Sequence, residues 1–187
     1  SVSHMGFVTL GIFIFQEQGM QGAILQMVNH GLITGALFIL VGVIYERTHD
    51  RTIAKMGGLG APVPVYSAML GFFVFASVGL PGLAGFVGEF LVFQGAFVFS
   101  PAVGAAIAFV MIFAAAYLLW MQQRVLFGPV SDFIKGLGHH LTDMRPVEIL
   151  TLAPLATLTV VLGVYPNLLF KITDAAVIHS LAALGGN

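Results

Sequence analysis

Apolar positions in this chain run in long blocks, without the two-residue alternation of half-buried strands, and charge marks where the blocks end. No Asp, Glu, Lys or Arg lies between Gln18 and Tyr45, between Met56 and Gly88, between Phe90 and Gln123, or between Ile149 and Phe170. Charge-free apolar stretches above about 18 residues read as transmembrane helices. The pattern predicts five spans, at 1–15, 20–45, 65–99, 102–123 and 149–165, with the third broken at 79–82. Residues 167–179 have the pattern of a short amphipathic surface helix. The first block opens inside an apolar segment at Ser1, as expected of a fragment of a longer protein cut within a helix. No basic region precedes it, so it does not read as a signal peptide.

The 65–99 block is too long for one crossing and short for two. About 35 residues at 1.5 Å each would reach about 52 Å, against a bilayer core of about 30 Å. Positive charge decides between the options. If the block crosses once, Arg47, Arg51, Lys55, Arg124, Lys135 and Arg145 share one side and Lys171 stands alone on the other. If it crosses twice, the basic residues divide four against three. The positive-inside rule favours the first division. The expectation is therefore one discontinuous helix, interrupted at Gly79-Leu80-Pro81-Gly82, with the charged loops cytoplasmic and the C-terminus outside. Broken helices are tolerated in lipid only where they are buried in protein or line a wet cavity. They recur at ion and substrate sites near the midplane. The alternative is a proline kink that only shapes packing.

Composition agrees. Of 187 residues, 58% are hydrophobic and 8% charged, against about 25% charged in a soluble domain, and mean hydropathy is +1.00. That leaves too little polar material for the skin of a soluble globule, and the hydrophobicity excludes a disordered chain. The fold class is all-α, a polytopic membrane helix bundle forming a single transmembrane domain over 1–187, with the lipid bilayer as its surroundings. Net charge is −1 and only seven residues are Lys or Arg, which gives no basic face for nucleic acid. The absence of cysteine removes disulfides, cysteine-held iron–sulfur clusters and thiolate zinc sites from this chain.

Glu89 is the one charged residue deep in an apolar span. An ionised carboxylate there costs several kcal/mol unless it is paired or protonated, and a carboxyl in such a place is a natural proton relay. The alternative is a structural Glu satisfied by helix contacts. His30 lies mid-span with Gln26 four residues before it, Asn29 beside it and Thr34 one turn on. Together they form a polar stripe that should face the bundle interior. Imidazole exchanges protons near neutral pH, so His30, and likewise His4 in the first block, are relay candidates. Each could instead be a satisfied core histidine. His139, His140 and His179 read as surface residues. Gly31 and Gly35 form a small-xxx-small pair that permits close helix approach. Tyr117, Trp120, Gln122 and Arg124 read as an interfacial belt. Gly57-Gly58-Leu59-Gly60 lacks the strand and the GK[ST] of a nucleotide loop. Nothing in the chain has the pattern of a nucleophile–base pair or a redox cofactor site.

Several blocks together resemble the antiporter-like subunits of respiratory complex I, the proton-translocating NADH-quinone oxidoreductase. They are Ser1-Val2-Ser3-His4-Met5-Gly6-Phe7, Gln26-Met27-Val28-Asn29-His30-Gly31, Leu37-Phe38-Ile39-Leu40-Val41-Gly42, Tyr45-Glu46-Arg47, and Gly79-Leu80-Pro81-Gly82 followed by Gly85-Phe86-Val87-Gly88-Glu89-Phe90. The resemblance covers essentially the whole chain. Most members carry Lys after the break; Gly88-Glu89-Phe90 is similar to the branch that carries Glu. The resemblance implies a fourteen-helix fold of two inverted five-helix repeats, of which this chain would be the second half, helices ten to fourteen. It implies that the terminal proton-pathway carboxylate falls on Glu89, that the axial histidines fall on His30 and His4, and that the helix break falls on Leu80, Pro81 and Gly82.

The same resemblance implies a subunit of an oxidoreductase with no catalytic or redox site of its own. NADH, flavin, iron–sulfur clusters and quinone would belong to partner subunits, and neighbouring membrane-arm subunits would be its partners. The location would be the bacterial inner membrane, crossed several times. The first-repeat Glu and Lys of the family have no counterpart here, so this piece alone is not expected to pump. Two other readings stay open. One is a subunit of a multisubunit cation/proton antiporter or membrane-bound hydrogenase, which shares the fold. The other is a stand-alone secondary transporter or a scaffolding subunit.

Overall fold

The computed structural model describes residues 1–183. Eight α-helices follow one another: α1 (Val2–Phe13), α2 (Glu17–Thr48), α3 (Pro64–Val78), α4 (Ala84–Phe99), α5 (Pro101–Leu126), α6 (Asp132–Leu137), α7 (Pro146–Val164) and α8 (Asn167–Ala183). Single 3₁₀ turns lie at Ile53–Lys55 and Gly138–His140. Helices α3, α5 and α7 each begin on proline, whose fixed φ suits the first turn and whose missing N–H is not needed there. Helix α2 stops where His49 turns left-handed, at φ 50°.

At 32 residues, α2 is about 48 Å long and forms the spine. Helices α3 and α4 lie along it in tandem. A methyl on Gly95 would strike the backbone of Gly19, one on Gly22 would strike that of Val92, and Gly88 rests on Gln26 and Asn29. Further along, Ile33 meets both Leu83 at the start of α4 and Ala76 near the end of α3. Beyond that point Tyr66, Leu70 and Phe73 join Leu40, Val43 and Ile44 in the main apolar core. Helix α5 repeats the arrangement, with Gly104 against Phe97 of α4 and Gln122 against Gly71 of α3. The two halves are therefore one interrupted element laid against two long helices, and not a hairpin. Each half, 15 and 16 residues, reaches about 22–24 Å, less than the bilayer core.

The interruption has a defined cause. Gly79 adopts φ 84° and its amide donates to the Phe75 carbonyl; the Leu80 amide donates to the same oxygen at 3.0 Å. This left-handed C-terminal cap suits glycine. Gly82, at φ 93°, turns the chain into α4. Gly163 of α7 presses on the backbone of Gly82 and Leu83, and Gly85 packs on the Ala76 carbonyl. A side chain at Gly163 would push α7 off the break, and one at Gly85 would part the start of α4 from the end of α3.

The charged segments gather at one end of the bundle. Leu59 and Gly60 donate backbone hydrogen bonds to Val125 and Leu126, and Ser131 to Gly57, tying the loop after α2 to the connection after α5. Arg47 pairs with Glu148 at 2.8 Å, and Arg145 reaches Glu46 at 3.4 Å. In the same loop, hydrogen bonds from Lys55 and then Thr52 hold the Asp50 carboxyl below the usual carboxylate range. At the opposite end, α8 docks on the start of α2. Val177 and Leu181 bury against Met20, and Gln21 donates to Asp174 at 3.1 Å. The six-to-one division of basic residues is thus a division between two ends of the bundle.

Three local expectations are corrected. Gly31 and Gly35 approach nothing, since a β-carbon on either meets no atom within 4 Å among the described residues. Close approach is made instead by Gly19, Gly22, Gly88 and Gly95. Gln122 leaves the expected interfacial belt and is buried against α3, while Tyr117 and Trp120 are exposed, with the Arg124 guanidinium over the Trp120 ring at 5.2 Å. Residues expected in a short helix over 167–179 belong to the longer α8, whose inner face is covered by α2.

Candidate functional site

The stripe predicted on α2 turns inward at the level of the break. Gln26 and Asn29 are buried, and His30 and Thr34 lie at its edge. The α4 surface opposite them is glycine at 85 and 88, which lets the polar side chains approach the helix backbone closely. Asn29 uses that space to donate to the Ala84 carbonyl at 2.6 Å, fixing the first turn of α4 on α2. Gln26 sits over Gly88 and donates its amide to Glu89 Oε1 at 3.3 Å.

Glu89 is 4% exposed. Its Oε1 also faces His4 Nε2 of α1 at 3.4 Å. Its Oε2 lies beside the break, where a β-carbon on Gly79 would come within 3.2 Å. The His4 ring faces the backbone of Ser77, in the last turn of α3. The rings of His4 and His30 meet edge to face with centroids 5.9 Å apart, and His30 Nε2 shares a 3.0 Å hydrogen bond with Ser1 Oγ. The structure therefore brings three predicted residues, Glu89, His4 and His30, into one file from α4 through α1 to α2.

Leu80, Pro81 and Gly82 form the break but point away from this file and are exposed. Gly79 and the Ser77 backbone touch it instead. The sequence places Gly79 in the interruption, where it carries the signal of a helix C-terminal glycine, but puts neither residue beside Glu89. His139, His140 and His179 are exposed and remote from Glu89 along the chain.

Three buried polar atoms around Glu89 have no hydrogen-bond partner among the described residues: His4 Nε2, Gln26 Oε1 and Asn29 Oδ1. Buried groups of this kind are usually paired, and here they concentrate beside a carboxyl and two imidazoles. The chemistry available is proton exchange. Carboxyl and imidazole each take and give a proton, and the amides donate and accept without changing charge. No group of three or more His, Asp or Glu side chains gathers as a metal site among the described residues.

The model of the family "NADH:quinone oxidoreductase/Mrp antiporter, TM" matches residues 1–145. The chain is 46% identical over 179 residues to NADH-quinone oxidoreductase subunit M of Rhodobacter capsulatus, covering 96% of this chain and 34% of that protein. It thus spans about a third of the length of the curated relatives it matches. A chain of respiratory complex I from Thermus thermophilus, solved with bound NADH, superposes with a TM-score of 0.81 at 32% identity, over 96% of this chain and 36% of that one. A chain of the Mrp complex from Dietzia sp. DQ12-45-1b superposes at 0.78 with 20% identity, over 94% and 40%; at that identity the likeness concerns the fold. With its interrupted helix, its buried Glu89 and these matches, the chain belongs to the NADH:quinone oxidoreductase/Mrp antiporter family of membrane proteins.

Proposed function

We propose that this chain is the proton-releasing part of a membrane-arm subunit of NADH-quinone oxidoreductase in a bacterial inner membrane. NADH oxidation and quinone reduction, with their flavin and iron–sulfur clusters, belong to partner subunits. Their free energy reaches this chain through neighbouring antiporter-like subunits. The observation that carries the reading is Glu89, buried beside His4 at 3.4 Å and next to the break. A chain 46% identical over nearly this whole length is a subunit M, and the Glu in Gly88-Glu89-Phe90 supports this branch over the Lys-bearing members and over the antiporter and hydrogenase readings.

In this reading a proton passes from His30 to His4 and from His4 to Glu89. The 5.9 Å between the ring centroids is bridged by ring motion or water, and the last transfer runs between atoms already side by side. Glu89 then releases the proton toward the outside. The one interrupted span, with the Arg47, Arg124 and Arg145 end cytoplasmic, follows from the positive-inside rule.

The test is Glu89→Gln in the full-length subunit within the assembled complex. Proton-transfer groups contribute about 10²-fold or more, so NADH-driven proton translocation is expected to fall at least about tenfold. Wild-type translocation by Glu89→Gln would overturn the relay and favour a scaffold, for which His30→Ala is also silent.

A further inference from the structure

The Glu89 carboxyl shows its two oxygens to different surroundings. Oε1 faces His4 Nε2 at 3.4 Å and the Gln26 amide at 3.3 Å. Oε2 faces the break at Gly79. A one-way relay needs this distinction, because a proton must arrive at one side of the carboxyl and depart from the other. Nothing intrinsic preserves it. The terminal torsion of Glu is broad and roughly two-fold, so an unheld carboxyl plane would swing away from His4.

Gln26 is the side chain placed to hold that plane. It is 3% exposed and wedged over Gly88, where a methyl would come within 2.5 Å of its Oε1. One turn along α2, the 2.6 Å bond from Asn29 to Ala84 fixes the register of the two helices. The Gln26 amide therefore reaches Glu89 from a fixed base. Its own Oε1 has no partner among the described residues, so its bond to Glu89 is the hydrogen bond that orients the amide. The titratable side chains facing the carboxyl are His4 from α1 and, behind it, His30 from α2; α3 brings the backbone of Ser77 and Gly79.

Resting on the relay reading above, we infer that Gln26 is a positioning residue that sets the Glu89 carboxyl plane with one oxygen on His4 and the other on the helix break, so that a proton enters on the His4 side of the carboxyl and leaves on the break side. His4, protonated at Nε2, gives that proton to the oxygen facing it and becomes neutral imidazole, while the carboxylate becomes a carboxylic acid. A half-turn of the carboxyl carries the O–H to the Gly79 side, where the proton leaves. The restored carboxylate again accepts from Gln26.

The experiment uses the full-length subunit in the assembled complex, with complex content measured for each variant. Gln26→Met keeps the volume and removes the amide; translocation is expected to drop on the order of tenfold, as misplacement of about 1 Å costs up to about 10²-fold. Gln26→Glu keeps a donor only while protonated. Its translocation is expected near wild type at acid pH and to fall as pH rises, when carboxylates on α2 and α4 face each other. Full translocation by Gln26→Met, or a Gln26→Glu profile parallel to wild type, would overturn the role of Gln26. Should Gln26→Met fail to assemble, the Gln26→Glu profile decides. Glu89→Gln runs beside them. If it pumps normally, the relay reading fails; if it does not while Gln26→Met does, only the positioning role fails.

Discussion

The chain buries ionisable side chains in two places and treats them in opposite ways. At the polar end, Arg47 spends all five of its N–H groups. Nε donates to Thr142, Nη1 to Val43 and Glu148, and Nη2 to Asp143 and Glu148, at 2.7–3.1 Å. Glu148 also accepts from the Arg145 amide at 2.7 Å. At the break, Glu89 has two neighbours at 3.3 and 3.4 Å, and three polar atoms around it have no partner among the described residues. Saturated bonding fixes one geometry and makes any other costly. Loose bonding around an equally buried group leaves several geometries close in energy. The first cluster ties α2, α7 and the loop between α5 and α7 together, and the second holds Glu89 by fewer and longer contacts.

The strongest way to break this comparison is Arg47→Ala. It leaves Glu148, whose side chain is only 14% exposed, charged and unpartnered. Breaking a buried pair from one side costs about 3–5 kcal/mol. A large fall in assembled subunit and in thermal midpoint is expected. Arg47→Met combined with Glu148→Leu should recover much of it, since replacing both charges removes the stranded one. A silent Arg47→Ala would remove the contrast between the two sites.

How far this was legible beforehand depends on whether the cause is local. The break was, because Gly79, Pro81 and Gly82 carry their conformational demands in their own chemistry. So was the inward stripe of Gln26 and Asn29, because helical spacing fixes a face. The common end of the charged loops followed from counting Arg and Lys. What failed was everything that needs a partner's rotation. Gly31 lies five residues from Gln26, about 140° around the helix at 3.6 residues per turn, and so cannot face the partner that Gln26 faces. Gln122 was assigned from its neighbours Trp120 and Arg124, but Gly71 makes room for it on α3. The Arg47–Glu148 pair joins residues 101 apart, which no local pattern reports.

A smaller effect tests the same polar end at one helix. Helix α3 begins after Val63, a residue that cannot cap, and Asp143 does the work from 77 and 78 residues away. Its Oδ2 accepts from the Val65 amide at 2.9 Å and its Oδ1 from Tyr66 at 3.0 Å. Asp143→Ala removes that cap and should cost about 0.5–2 kcal/mol, a modest fall in thermal midpoint with proton translocation retained. Asp143→Asn should recover part of the loss, because one amide oxygen still accepts.

The smallest expected change in stability comes from Glu89→Gln, and it sharpens the comparison most. Gln preserves the shape, can still bond Gln26 and does not ask the interior to hold a charge, whose burial costs several kcal/mol unless well paired. At 3.3 and 3.4 Å the existing contacts offset little of that cost. The thermal midpoint of the assembled complex should therefore stay level or rise, in contrast to the loss expected from Arg47→Ala. A fall matching that of Arg47→Ala would make Glu89 a structural ion and return the break to a packing feature. An undiminished midpoint with lost translocation means that the fold tolerates the carboxylate without depending on it, which is what a group retained to carry a proton requires.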